Sequence, residues 1–139
     1  MNILIIDGQG GALGAQLVRE ITDAFAGITL TAVGTNAVAT AAMLKAGAKN
    51  AATGENPVIV AARRADVIIG PIGIVIADSL LGEVTPKMAL AVGQSRAVRI
   101  LIPMNKCDNL VAGIPQTSTA ALIGDVMAKL KGIINSKNA

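Results

Sequence analysis

Ile5-Ile6-Asp7-Gly8-Gln9-Gly10-Gly11-Ala12-Leu13-Gly14 stands near the start of the chain and decides how the rest is read. Residues 3–6 are an unbroken aliphatic run, the pattern of a short buried strand. From about 11 to 25, Leu13, Leu17 and Ile21 recur at helical spacing, with Val18 and Phe25 flanking the stripe. A strand, a glycine-rich turn and a helix in direct succession open a βαβ unit.

The same alternation runs outward to the C-terminus. Residues 28–33 form a second strand; Thr35 and Asn36 cap a helix that reaches Ala46 and stops at Gly47. A weak strand at 50–53 precedes Asn56-Pro57, a cap followed by a first-turn proline, which predicts a short helix to Arg64. Residues 67–70 read as the buried central strand, and a helix is expected from Ile74, fading at Gly82. Thr85-Pro86 starts another helix, ended by Gly93; 98–102 is a fifth strand and 110–112 the candidate for a sixth. The closing helix, 118–134, carries Ile123, Val126, Met127, Leu130, Ile133 and Ile134 at amphipathic spacing. Strands alternating with helices predict an α/β fold, a three-layer Rossmann-like doubly wound parallel sheet of five to six strands. The 139 residues suit a single domain over 1–139.

Composition removes whole classes of chemistry. There is no His, Trp or Tyr, one Phe and one Cys. Imidazole ligands, a Ser-His-Asp arrangement, a zinc site of several cysteines and an internal disulfide are therefore excluded, and no metal site is expected. With 1% aromatic residues the chain lacks the stacking platforms of single-strand and RNA readers, and no basic stripe follows a phosphate backbone, so no nucleic-acid partner is expected. Most of the net charge of +3 comes from Lys129, Lys131 and Lys137 in the last turns. Residues 67–77 are the most apolar stretch, but Pro71 and two glycines interrupt it, and it is too short to span a bilayer. The start of the chain has neither a basic region nor a cleavage site, so a cytoplasmic protein without a membrane partner is expected. With 53% hydrophobic and 15% charged residues, the composition favours a homo-oligomer.

The turn after the first strand is the context in which a phosphate loop occurs: glycines admit a diphosphate close to the backbone, and the helix start offers free N–H groups. Gly8, Gln9, Gly10, Gly11, Ala12, Leu13 and Gly14 are therefore candidate ligand-binding residues. The strict G-x-G-x-x-G pattern begun at Gly8 and Gly10 fails at Leu13; Gly8, Gly11 and Gly14 satisfy G-x-x-G-x-x-G, which resembles the loop of atypical short-chain reductases and their catalytically silent NADP-binding relatives. In a doubly wound sheet the ligand lies beyond the carboxyl ends of the strands, where strand order reverses. Thr35 and Asn36, then Gly70, Pro71, Ile72 and Gly73, and then Asn105 and Lys106 follow strands and converge on that edge. An NAD site would carry an acid at the end of the second strand, where Gly34-Thr35-Asn36 stands, which leaves NADP or another adenine nucleotide as the cofactor.

Three functions follow from these residues. The first is a nucleotide- or dinucleotide-binding protein of NADP-like preference that senses or regulates through a small anionic ligand. The second is an enzyme acting on a phosphorylated or carboxylated metabolite, with Asp7 as general base and Lys106 holding the anion. The third is an oligomeric scaffold whose glycine turns bind nothing. Reductases of the related type use a Tyr and Lys pair, and this chain has no Tyr. Cys107 has no imidazole to activate it. Asp78 and Glu83 read as solvated acids, the latter paired with Lys87 across one helical turn.

Beyond the loop, several stretches carry a wider resemblance: Ile6-Asp7-Gly8-Gln9-Gly10-Gly11, Val33-Gly34-Thr35-Asn36, residues 39–48, Thr53-Gly54-Glu55-Asn56, Gly70-Pro71-Ile72-Gly73 and Pro103-Met104-Asn105-Lys106-Cys107. Together they are similar to an uncharacterised bacterial family of small Rossmann-like proteins, a domain of unknown function found mainly in anaerobic Firmicutes. The resemblance implies a small stand-alone cytoplasmic protein and no assigned activity.

Overall fold

The computed structural model describes residues 1–104 and 109–138. Five strands, β1 (Asn2–Asp7), β2 (Thr29–Gly34), β3 (Asn50–Thr53), β4 (Val67–Pro71) and β5 (Val98–Ile102), form one sheet in the order β3-β2-β1-β4-β5. Every pairing is parallel, with Ile5 opposite Ala32 on one side and Ile69 on the other. The helices are α1 (Ala12–Ala24), α2 (Ala37–Lys45), α3 (Glu55–Arg64), α4 (Pro86–Gln94) and α5 (Thr119–Lys137).

The aliphatic run of β1 is explained by burial on both faces. Ile3 and Ile5 pack with Leu13, Leu17 and Ile21 of α1, Met43 of α2 and Ile123, Val126 and Leu130 of α5. Leu4 and Ile6 point the other way, into a second core with Val58 and Ala62 of α3 and Met88, Ala89 and Val92 of α4. Side chains alternate across a strand, so a central parallel strand covered by helices on both sides needs no polar position. The result is the expected three-layer sandwich.

Helix starts follow the sequence signals with one shift. Asn36 accepts a hydrogen bond from the Ala39 N–H at 2.8 Å, Thr85 from that of Met88 at 3.2 Å and Ser118 from that of Ala121 at 3.1 Å. The expected cap at Asn56 is displaced: α3 is capped by Gly54 and begins at Glu55, which leaves Pro57 still in the first turn, where no N–H is needed. Gly93 does not end α4, which continues to Gln94. Residues 110–112 form no strand, so the sheet has five.

The largest correction concerns the helix expected over 74–82. The chain makes only a short 3₁₀ turn (Ile72–Val75) and then a series of tight turns in which Asp78, Leu80 and Leu81 have φ of 64°, 54° and 56°. A right-handed helix cannot pass through left-handed residues. The local gain is that Leu80 turns into the second core at 2% exposure, while its neighbour Leu81 points outward at 97%.

Ile5 is fully buried between the two β1 neighbours and the α1 stripe. Ile5→Ala is expected to lower unfolding free energy by about 2–5 kcal/mol in chemical denaturation; a loss below about 1 kcal/mol would contradict this packing.

Candidate functional site

Strand order reverses between β1 and β4, because α1 carries the chain towards β2 and β3 while α3 brings it back to β4 on the opposite face. The loops leaving β1, β2 and β4 meet at this switch point, which places residues 8–11, Thr35, Asn36 and residues 70–73 on one edge, as expected for a doubly wound fold.

Asp7, the last residue of β1, organises the edge from beneath. At 5% exposure its Oδ1 accepts the Gly8 N–H at 2.8 Å and its Oδ2 the Gly14 N–H at 2.6 Å. It thus supplies the negative charge that favours a helix start, where the cap residue Gly11 has no side chain to offer. Burial pushes the Asp7 carboxyl above its usual range; the Gly14 and Gly8 amides pull it down, and the charge of Glu83 adds to the rise.

The glycines of the loop serve different ends. Gly11 is left-handed at φ 75°, and a Cβ there would lie 2.7 Å from the Ala39 Cα, so this glycine lets α1 and α2 approach. A Cβ on Gly14 would meet Met43 Sδ at 2.6 Å and Asp7 Cβ at 2.8 Å, and one on Gly8 would meet Thr35 Oγ1 at 2.6 Å and Leu80 Cδ1 at 2.8 Å. Gly70 lies against the Ile6 carbonyl, where a Cβ would stand 2.4 Å from the oxygen. The G-x-x-G-x-x-G spacing is therefore filled by the protein's own packing. Gly10 faces open space, with nothing within 4 Å of a Cβ.

Above the loop sits a carboxylate whose place the sequence did not reveal. Glu83 Oε1 accepts the Gln9 N–H at 3.1 Å, the Thr35 hydroxyl at 2.8 Å and the Asn36 side-chain amide at 2.5 Å. Asn36 also donates to the Gln9 carbonyl at 3.0 Å while capping α2, which ties the β1 and β2 loops together. The expected pairing of Glu83 with Lys87 is replaced by these three bonds, because the left-handed turns at 78–82 carry residue 83 across to the β2 end. Partial burial pushes the Glu83 carboxyl up, but the Asn36, Thr35 and Gln9 donors outweigh it and hold it below its usual range. Nearby, the Thr85 hydroxyl donates to Glu55 Oε2 at 2.5 Å and joins the start of α4 to that of α3.

The remaining candidates divide. Gln9, Gly10 and Ala12 are exposed at the edge, Leu13 is a core residue, Gly70 and Pro71 are the buried end of β4, and Ile72 and Gly73 lie in the 3₁₀ turn, where the Gly73 carbonyl accepts the Ser79 hydroxyl. Asn105 and Lys106, with Cys107 and Asp108, lie outside the described residues. Among the described residues no group of three or more Cys, Asp or Glu could hold a metal ion, and no helix is long and apolar enough to cross a membrane.

A parallel sheet in this order, with a glycine turn and an anion-satisfied helix start at its switch point, defines a protein of the Rossmann-like α/β class. Within it, the chain belongs to the family described as Domain of unknown function (DUF3842), whose model matches residues 2–135. No curated protein and no solved structure matches it.

Two predictions follow from the geometry. Gly11→Ala should cost at least about 1–2 kcal/mol from its left-handed φ alone, whereas Gly10→Ala should stay within about 0.5 kcal/mol of wild type; equal costs in denaturant melts would refute the division of roles. Because Glu83 is lowered in the fold, its contribution to stability is present above its ordinary value of 4.5 and is lost as pH falls through the folded value. The stability difference between wild type and Glu83→Gln should accordingly shrink on acidification below 4.5, and a difference independent of pH would show that the three bonds do not form.

Proposed function

We propose that the protein binds a nucleotide or dinucleotide, NADP or another adenine nucleotide, across the β1/β4 switch point, and acts through binding rather than turnover. One observation carries the reading. A peptide N–H, a hydroxyl and a side-chain amide, from Gln9, Thr35 and Asn36, converge on one position, and the atom found there is a negatively charged oxygen. Three donors aimed at one point suit a phosphate oxygen equally well. Beside them Gly10 leaves the backbone open to a large group.

The absence of turnover is supported by the groups at this edge. Both oxygens of Asp7 are held by backbone amides and the residue is 5% exposed beneath the loop, so its carboxylate serves the loop and the helix start rather than facing the open side of the edge. The chain has neither the Tyr of a reductase nor a His to take its place. Association of like chains is supported by the composition, 53% hydrophobic against 15% charged in a chain of 139 residues.

The test is a thermal-shift and calorimetric panel of ADP, NAD⁺ and NADP⁺ against wild type and Gly10→Val. A ligand at 100 times its Kd stabilises by about 2.7 kcal/mol, a shift of several degrees in Tm. At least one member should raise the wild-type Tm in this way and lose its effect in Gly10→Val, whose ligand-free Tm should match wild type. A panel without any shift would overturn the reading.

A further inference from the structure

The segment at 76–84 is a self-contained knot between the 3₁₀ turn and α4. The Asp78 N–H donates to the Val84 carbonyl at 2.7 Å, the Gly82 N–H to that of Asp78 at 3.1 Å and the Val84 N–H to that of Ser79 at 3.2 Å. Within it, Asp78, Leu80 and Leu81 all adopt the left-handed conformation that L side chains rarely occupy. Two contacts offset that strain: Leu80 buried against Gly8, and Glu83 seated on the three donors. The knot thus delivers a carboxylate of this chain to the position proposed above for the ligand's anionic group.

A phosphate and a carboxylate cannot both use that position. All three donors are directed at Oε1 alone, and a second anion within a few ångströms would meet the charge of Glu83. We propose that Glu83 is a built-in competitor for the anion seat. It satisfies Gln9, Thr35 and Asn36 while the site is empty and turns out when a phosphate-type anion takes its place; this rests on the anion-binding reading of the site. Its effect is selective: a free anion that offers only its charge must displace a tethered carboxylate, whereas a nucleotide brings further contacts to offset that displacement. The apparent affinity of the wild-type protein is lowered by the fraction of molecules in which the seat is closed.

The experiment is isothermal titration of wild type, Glu83→Ala and Glu83→Gln with inorganic pyrophosphate, and then with ADP and NADP⁺, after circular dichroism has checked folding. Pyrophosphate should bind Glu83→Ala at least tenfold more tightly than wild type, with a smaller gain for Glu83→Gln, which loses the charge but keeps the bulk. If Glu83→Ala does not fold, a gain in Glu83→Gln decides in favour and its absence decides against. Equal or weaker pyrophosphate binding in the folded variants overturns the competitor, as does the absence of any binding. A gain for pyrophosphate without binding of either nucleotide keeps the competitor and removes the nucleotide reading. Nucleotide binding to wild type with no gain on removing Glu83 keeps the nucleotide reading and removes the competitor.

Discussion

The carboxylate of Asp7, buried at the end of the central strand and bonded to the Gly8 and Gly14 amides, is the constraint from which the rest of the sheet edge follows. A carboxylate out of water is costly unless its oxygens are matched by donors. Those donors exist only if the chain turns sharply at residue 8 and enters α1 at once. That turn fixes the direction of α1 over β1 and places Gly11 where α2 must pass, with the Ala39 backbone within contact of any added Cβ. The Thr35 N–H bonded to the Asp7 carbonyl at 2.9 Å then sets the β2 loop beside the β1 loop.

Seen from the solvent side, the same edge is a set of donors held between two acids. Asp7 satisfies the helix start from below, and Glu83 satisfies Gln9, Thr35 and Asn36 from above. A phosphate loop in a nucleotide-binding domain leaves such donors to its ligand. Here Asp7, buried, takes the Gly8 and Gly14 amides, while Glu83, only half-buried and just after a left-handed segment, takes the donors of Gln9, Thr35 and Asn36. The difference between the two acids is therefore one of position and burial.

Much of the fold was legible because its signals are local. Aliphatic runs marked β1, β4 and β5, Thr85-Pro86 and Ser118 marked helix starts, and the α1 stripe fell on the core face. The helix misread over 74–82 shows the limit. Its apolar spacing is adequate for a helix, but the chain instead passes through left-handed residues, and Leu80 enters the second core. That path, which depends on the finished tertiary structure, also carries Glu83 some 47 residues in sequence from Asn36 to within hydrogen-bond distance of it. No spacing rule connects the two. The glycines were legible as a turn, yet whether each makes room for a ligand or for a neighbouring helix depended on α2, Met43 and Leu80.

The most direct measurement is to map backbone amide shifts by nuclear magnetic resonance as ADP or NADP⁺ is titrated into the wild-type protein. If the switch point is the binding site, the shifts will cluster at residues 8–12, at Thr35 and Asn36 and at residues 80–84, and the Asn36 side-chain amide will move with them. Shifts centred instead on the groove between β5 and α5, around Arg99, Asp125 and Lys129, or on the basic groove of Arg63, Lys87 and Arg96 between α3 and α4, would contradict it. A spectrum that nucleotide leaves unchanged would do the same.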